Sequence, residues 1–531
     1  MKTRTLCYIT LPILMMVAFV LNPASAVAQK TTTGIDCSQI AAKHLLQQDN
    51  QRAGLTLMEC GVIPRAKGAG AGAEEDAPQL PPNVLVSNRS CSSGSSCTHS
   101  ESMVWHSTVP NNNTVVVNYN DDYPGNGSNY SGTSYSTDNG ATFTQMLPPP
   151  FATGHGTNYG DPLMVYNSKL GLWFGGDLAT ACGGFGVGLW SSPDGQNWTA
   201  ASCAHNGDND DRPSMWVDNN PYSAVYGRMY VSLNNFNIDG GALFVTHSDD
   251  GVTWSTAVQL STSFIRDVQL TGAIPGPPPP NARYFSTVFS AAMDEGGGGL
   301  STRQNVFYRS LDGGVTWTNT VTGPRFNAAG DGTCPSNSYF AYMHPIWRHM
   351  GWGEPGVGPG GVVHYVYAGQ GSLSTGDIFY VRSADNGQTW SSPILLNTPE
   401  TNQYQSHWMP SLSVNYNPTG FTQPGNVTVS WYDRREATTA CNEVTDPGCS
   451  YYRYGIQSAD NGVTWGPNVQ ISDQLIPQPA QDDPEIQPCY AGDYDYSTAL
   501  GNTAYVTWTD GRVAVGGVQV QNEEFDAVPE P

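Results

Sequence analysis

The stretches "SADNGQTW" (Ser383–Trp390) and "SADNGVTW" (Ser458–Trp465) differ at a single position. Four related phrases stand upstream: "STDNGATF" (Ser136–Phe143), "SPDGQNW" (Ser192–Trp198), "SDDGVTW" (Ser248–Trp254) and "SLDGGVTW" (Ser310–Trp317). Their acids, Asp138, Asp194, Asp250, Asp312, Asp385 and Asp460, recur at intervals of 56 to 75 residues. Recurrence at a roughly fixed period marks an array of supersecondary units. Each phrase reads as a hairpin turn in which Asp accepts backbone hydrogen bonds and Gly supplies a positive φ. The aromatic that follows opens the next strand. The repeated aspartates are therefore read as structural.

Around each phrase the sequence keeps one grammar. A first apolar strand follows an acid or His, as in "GDPLMVYN" (Gly160–Asn167), "DRPSMWVD" (Asp211–Asp218), "HWMPSLSVN" (His407–Asn415) and "GDYDYSTAL" (Gly492–Leu500). A second β-rich strand comes next, such as "TVVVNYND" (Thr114–Asp121), "NVTVSWYDRR" (Asn426–Arg435) or "TAYVTWTDGR" (Thr503–Arg512). A third runs into the repeated phrase and a fourth leaves it. Four antiparallel strands per unit is the blade of a β-propeller, so the expected class is all-β. The last unit, from Gly492, lacks a repeated phrase and a fourth strand, while "PNVLVSN" (Pro82–Asn88) is a strand without a unit. Pairing these two gives seven blades and no free edge; six blades is the alternative.

The remaining organisation follows from composition. Residues 1–28, with Lys2 and Arg4 before an apolar run and "ASAVA" at Ala24–Ala28, read as a secretory signal peptide. Residues 29–65 read as a short helical segment with Ser38 as a possible N-cap and Gly61 as a stop. A Gly/Ala/Pro linker at 66–81 precedes the propeller at 82–531. Ten cysteines outside the signal favour disulfides in an exported chain, by proximity Cys37–Cys60, Cys91–Cys97, Cys182–Cys203 and Cys441–Cys449, with Cys334–Cys489 by elimination. No later stretch has the length of a membrane span. The net charge of −23, from 45 acids against 22 Lys and Arg, opposes nucleic-acid binding. An exported monomer, extracellular or periplasmic, is expected.

The pattern Ser-x-Asp-x-Gly-x-Thr-Trp is the Asp-box, and residues 82–525 resemble the sialidase (neuraminidase) superfamily of Asp-box propellers. The resemblance implies a site on the channel face, away from the Asp-box turns, and a glycan or glycoconjugate as partner. Candidates there head first strands or end second strands: Glu101 with Asp121 and Asp122; Asp161 with Asp177; Asp211 and Arg212; Arg266 and Asp267 with Asp294 and Glu295; His344 and Arg348; His407 with Asp433, Arg434 and Arg435; and Asp493, Tyr494 and Tyr496 with Asp510 and Arg512. A sialidase uses a tyrosine nucleophile, an acid/base Asp and three arginines that clamp the substrate carboxylate. The resemblance implies Tyr496 as nucleophile and Asp121 or Asp122 as acid/base, with Asp161, Asp211 and Asp493 as further carboxylates. It implies Arg212, Arg434 and Arg512 as the guanidinium clamp, with His344 and His407 beside them. Sialidases open the first blade with an Arg-containing motif, and here the equivalent stretch, "HSESMVWHS" (His99–Ser107), has no arginine.

The endings "WYDRR" and "WTDGR" repeat each other, so Asp433 with Arg434 or Arg435, and Asp510 with Arg512, also read as scaffold ion pairs. "HNGDNDDRP" (His205–Pro213) is oxygen-rich enough to raise Ca²⁺ as a possible ion, though it reads first as a solvated acidic loop. With acids outnumbering arginines on the channel face, the expected preference is for neutral or cationic glycans, or for anionic ones bridged by a divalent cation.

Overall fold

The computed structural model describes residues 31–65, 82–87, 98–124, 127–273, 284–415, 425–442, 447–481, 483–515 and 518–531. The signal sequence, the 66–81 linker and the Cys91–Cys97 pair lie outside the described residues. The other four disulfides, Cys37–Cys60, Cys182–Cys203, Cys334–Cys489 and Cys441–Cys449, are formed. No described helix is long and apolar enough to cross a membrane.

Among the described residues the chain is all-β apart from one α-helix and a few 3-10 turns. Its main sheets are built on four antiparallel strands each; the first also carries Asp495–Tyr496 as a parallel edge strand against His99–His106, and the fourth carries the short strand Phe326–Asn327. The first contains His99–His106, Val115–Asp121, Ser131–Ser136 and Thr144–Gln145. Five more are built the same way, with innermost strands beginning at Leu163, Asp210, Arg266, Pro355 and His407. The last sheet takes Thr498–Leu500, Thr503–Asp510 and Asn522–Pro529 from the C-terminus and Val84–Leu85 from the N-terminus. There Val84 stands opposite Phe525 and Leu85 opposite Glu524. The third strand of this sheet is Asn522–Pro529. Innermost strands of consecutive sheets pack side by side, and Thr498–Leu500 also packs against His99–His106.

The repeated phrase joins third to fourth strands and has one construction in its four full-length copies. In the Asp385 copy, Ser383 Oγ donates to Asp385 Oδ1 (2.8 Å) and accepts from the Gly387 N–H (2.8 Å). Asp385 also accepts from the Thr389 N–H (2.8 Å) and hydroxyl (2.6 Å). The same contacts recur around Asp138, Asp312 and Asp460. Gly387 has φ +79°, a conformation that a side chain disfavours.

The N-terminal segment is part of the same core. Its helix, Gln51–Glu59, is capped by Asn50 Oδ1 accepting from the Ala53 N–H (2.9 Å), and Asp36 rather than Ser38 caps the preceding 3-10 turn. Leu45, Leu55, Leu57 and Ile63 share one apolar cluster with Leu163, Leu189, Met215 and Val231 of the sheets. Its seat is the 205–213 stretch, which is not a solvated loop, because Asp210, Asp211 and Arg212 lie buried at the head of strand Asp210–Val217. Lys43 Nζ pairs with Asp208 Oδ2 (3.2 Å), and Gln48 Nε2 donates to Asn209 Oδ1 (3.0 Å).

The turn geometry predicts the effect of Asp385→Ala. Burial opposes ionisation slightly, but donors from Thr389, Ser383 and Gln388 hold the Asp385 carboxyl down at about 2. Losing these bonds should destabilise the fold by roughly 1–2 kcal/mol at pH 7 in urea denaturation. A depressed carboxyl contributes fully above its unfolded value of about 4 and loses that contribution as pH falls through about 2. The difference between variant and wild type should therefore close at the acid end of the series.

Candidate functional site

A recurrent backbone irregularity aims polar residues into the space between the innermost strands. Pairing of first with second strands shifts register between Ser100 and Ser102, Asp211 and Ser214, Asp267 and Gln269, and Trp408 and Ser411. Glu101 (φ 52°), Arg212 (φ 50°) and Met409 (φ 45°) sit at such bulges in the left-handed region, and Asp161 (φ 64°) precedes its strand in the same conformation. Bulges re-aim side chains, and strained backbone of this kind gathers where a site is built.

Three fully buried arginines meet there around Asp49 of the N-terminal segment. Arg266 Nη1 donates to Asp211 Oδ2 (2.8 Å) and Asp49 Oδ1 (3.2 Å), while its Nη2 holds the Gln47 carbonyl. Arg348 forks onto Asp493 through Nε (2.9 Å) and Nη2 (2.5 Å), and Nη2 also donates to the Asp49 carbonyl (2.6 Å). Arg212 Nε lies 3.8 Å from Asp49 Oδ2. Its Nη2 donates to Val268 O (3.0 Å) and to the Tyr496 hydroxyl, and its guanidinium lies 3.8 Å from the Tyr494 ring centroid. Arg212 Nε and Nη1 make no hydrogen bond.

Carboxyls crowd the same space. Glu101 accepts from Asn120 Nδ2 (2.7 Å) and the Asp493 N–H (3.0 Å). Asp161 Oδ2 accepts the Arg212 N–H (3.0 Å), and Asp211 Oδ1 accepts from Asn50 Nδ2 (2.7 Å). Burial, reinforced by neighbouring acids, pushes Glu101, Asp161 and Asp211 well above the carboxylate range. Burial would raise Asp49 as well, but Arg266, Asp211 and Arg212 hold it below its ordinary value. Asp49 is thus the anion of the cluster. Tyr496 donates to Val268 O (2.6 Å), and burial raises its hydroxyl pKa despite Arg212.

The structure brings together Tyr496, Asp161, Asp211, Asp493 and Arg212 from the sequence candidates, with Arg266 and Arg348 of the wider channel-face set. Glu101, Glu295 and Tyr494 border the same cluster, and the structure places Asp121, Asp122, Arg434, Arg512, His344 and His407 elsewhere. Asp121 faces His99 Nε2 (3.3 Å), and Asp122 accepts from the Gly127 N–H (3.4 Å) with its carboxyl pushed to about 9 by burial, Asp483 and Asp121. Arg434 donates to His344 Nδ1 (3.1 Å), whose other nitrogen meets Ser406 Oγ (2.8 Å). Arg512 forks onto Asp510 (2.9 and 2.8 Å) and reaches Asp473 Oδ1 (2.6 Å). Arg435, not Arg434, forks onto Asp433 (2.9 and 2.6 Å). Trp431 and Trp508 donate to those same aspartates, so the two repeated endings are one scaffold device. His407 sits among Asp377, Glu400 and Asp433.

The sequence reading missed Asp49, and no local signal pointed to it. It also placed His344 and Arg348 at the head of a sheet strand. They lie instead in and beside a small three-stranded sheet (Gly332–Thr333, Ala341–Met343, Trp347–Arg348), and the innermost strand of the next large sheet is Pro355–Gly358. A cavity of about 320 Å³ is lined by later residues of the innermost strands, among them Trp105, Trp216, Leu270 and Ser413, with Glu354 beside them.

No protein-family model matches the chain, and no curated protein matches it in sequence. Solved structures share its fold only loosely. An ulvan lyase of a polysaccharide lyase family aligns with TM-score 0.44 and 11% identity over 82% of this chain and 95% of that one. A Hadza microbial sialidase aligns with TM-score 0.38 and 15% identity over 75% and 73%. A protein of unknown function from Dyadobacter fermentans aligns with TM-score 0.39 and 11% identity over 84% and 98%.

Glu354 gives this region a pH signature. Its Oε2 accepts from Ser411 Oγ (2.8 Å) and the Leu412 (2.8 Å) and Ser497 (3.3 Å) N–H groups, leaving Oε1 to carry a proton. Burial raises the carboxyl to about 8 against those donors. A raised carboxyl binds its proton more tightly folded than unfolded, so it costs stability as pH climbs from about 4 towards 8. Glu354→Gln, which keeps the acceptor and cannot ionise, should gain on wild type progressively over that window in denaturant titrations. Parallel stability curves would refute the assignment.

Proposed function

We propose that the chain is a seven-bladed Asp-box propeller, closed by the pairing of Val84–Leu85 with the last blade. Its channel face binds or hydrolyses a glycan that carries a carboxylate, in the manner of a sialidase-type glycoside hydrolase. One observation carries this reading: Arg212, Arg266 and Arg348 gather around Asp49, whose carboxylate two of them face and whose backbone carbonyl the third holds. Charge-assisted contacts from planar guanidiniums are the recognition chemistry of a sugar carboxylate. Asp49 stands in for that group. Tyr494, Tyr496 and Trp352 supply aromatic faces around the same arginines.

In the catalytic form of the reading Tyr496 is the nucleophile, and Asp161, Asp211 or Asp493, whose carboxyls burial raises, is the proton donor to the leaving oxygen. A second reading, a non-catalytic glycan-binding propeller, is favoured by the Tyr496 hydroxyl. It is committed to Val268 O and held above its ordinary pKa by burial, both of which oppose a phenolate nucleophile.

The test uses the full chain, Asp49→Ala and Asp49→Asn. Each variant removes the resident anion and should lower thermal stability, because buried guanidiniums lose a partner. Free N-acetylneuraminate should then raise the melting temperature of the variants by several degrees and that of wild type by less, because Asp49 competes for the same guanidiniums. Turnover of a fluorogenic sialoside by a variant, abolished by an added Tyr496→Phe, supports the hydrolase. Stabilisation without turnover supports the binder. Neither response, from a variant that folds, would reject a carboxylate site.

A further inference from the structure

A second cluster lies where two neighbouring sheets meet. His407 opens the innermost strand His407–Asn415, Asp377 opens Asp377–Ser383 of the preceding sheet, and Glu400 lies in the connection between them. One ligand atom from each lies within 4.8 Å of the others. His407 Nδ1 is 3.2 Å from Glu400 Oε1 and 3.7 Å from Asp377 Oδ1, and the His407 side chain is 0% exposed. Yet neither ring nitrogen makes a hydrogen bond. The carboxylate oxygens therefore flank the nitrogen instead of lying on its N–H axis, as an ion pair with a good hydrogen bond would place them.

Spacings of this kind suit donors around a common centre. Ligands at about 2.0–2.2 Å from a tetrahedral ion stand roughly 3.3–3.5 Å apart. The surroundings are those of a held ligand set. His407 Nε2 is backed by Asp433 Oδ2 (3.4 Å), itself fixed by Trp431 and Arg435. Asn397 Nδ2 donates to Asp377 Oδ1 (3.0 Å) and Glu400 Oε1 (3.3 Å), and Ser374 Oγ donates to Glu400 Oε1 (3.0 Å). Asp433 stands behind the distal nitrogen at ion-pair distance without a hydrogen bond, and donors hold the two carboxylates in place, as outer donors hold ligating carboxylates.

We propose that Asp377, Glu400 and His407 bind a divalent first-row transition metal ion of the zinc type. Imidazole suits such an ion better than it suits calcium, and the two carboxylates balance its charge. The ion ties the heads of two adjacent strands to the loop between them. The site is independent of the arginine cluster and of any glycan activity.

The untagged full chain, stripped with a chelator and dialysed, is titrated with ZnCl₂ by calorimetry and with CoCl₂ by visible absorption. One equivalent of Zn²⁺ should bind with submicromolar affinity, raise the melting temperature, and be matched by the intense d–d bands of a four-coordinate Co²⁺ site. Glu400→Gln and Asp377→Asn should each weaken Zn²⁺ binding at least 100-fold while the far-ultraviolet spectrum stays native. Asn397→Ala, which removes only an outer donor, should weaken it about 10-fold. Absence of stoichiometric Zn²⁺ binding by the folded, stripped chain would overturn the proposal. So would binding that both carboxylate variants leave unchanged.

Discussion

Burial of three guanidinium groups is the constraint around which the rest of the channel is arranged. Arg212, Arg266 and Arg348 are at most 1% exposed. Each costs several kcal/mol to desolvate unless charge and hydrogen bonds are supplied in return. Asp211 and Asp493 come from the heads of sheet strands, Asp49 from the N-terminal segment, and Glu295 lies 3.7 Å from Arg266 Nε. Aromatic faces complete the shell, with Phe340 and Tyr490 against Arg348 and Phe264 and Trp352 against Arg266. The N-terminal segment is thus an electrostatic component of the site as well as part of the apolar core. Its Gln47 and Asp49 carbonyls satisfy arginine donors that strand residues leave open.

Backbone irregularity makes the gathering possible. A regular strand alternates its side chains between the two faces of its sheet, so consecutive residues cannot serve one centre. At Asp211–Arg212 the bulge breaks the alternation. Asp211 receives Arg266 and Asn50 while Arg212, with φ 50°, turns to Tyr494, Tyr496 and Val268. Glu101 does the equivalent in the first sheet, where it accepts from both Asn120 and the Asp493 backbone. In the sixth sheet the same position is Met409, which joins the apolar cluster of Trp408 and Trp431. One backbone device is thus used for charge at some units and for packing at another.

This explains which parts were legible in the sequence. The Ser-x-Asp turn is local, with every partner within four residues, so six copies announced the sheet grammar on their own. Strand heads at Asp211, Arg266, His407 and Asp493 followed from that grammar. Pro355–Gly358 did not, because "PGVG" has the composition of a turn and is a strand only through its neighbours Val362–Gly369. The choice of arginines was not legible either. An Asp-x-Arg ending such as Asp510–Arg512 closes on itself through two hydrogen bonds, whereas Arg266 and Arg348 find partners more than 50 residues away. Asp49 lies in a stretch whose local pattern shows only a helix start. Its role exists only once the segment has docked on residues 205–213.

Charge then decides what can take the place of Asp49. The excess of acids on this face suggests a preference for neutral or cationic sugars, or for anionic ones bridged by a divalent cation. The proposed carboxylate site rests instead on how burial changes the count. Glu101, Asp161 and Asp211 are driven towards their neutral forms, so they do not cancel the guanidiniums in proportion to their number. Asp493 is committed to Arg348 by a two-nitrogen fork. The Arg212 guanidinium makes no hydrogen bond to a carboxylate, and its ion-pair partner is Asp49 at 3.8 Å. Displacing Asp49 with a neutral group would leave Arg212 and part of the Arg266 charge uncompensated in a buried setting, a cost of several kcal/mol. An occupant that brings its own carboxylate avoids that cost. In the proposed reading, the selectivity of the face is therefore set by its three cations rather than by the larger number of acids around them.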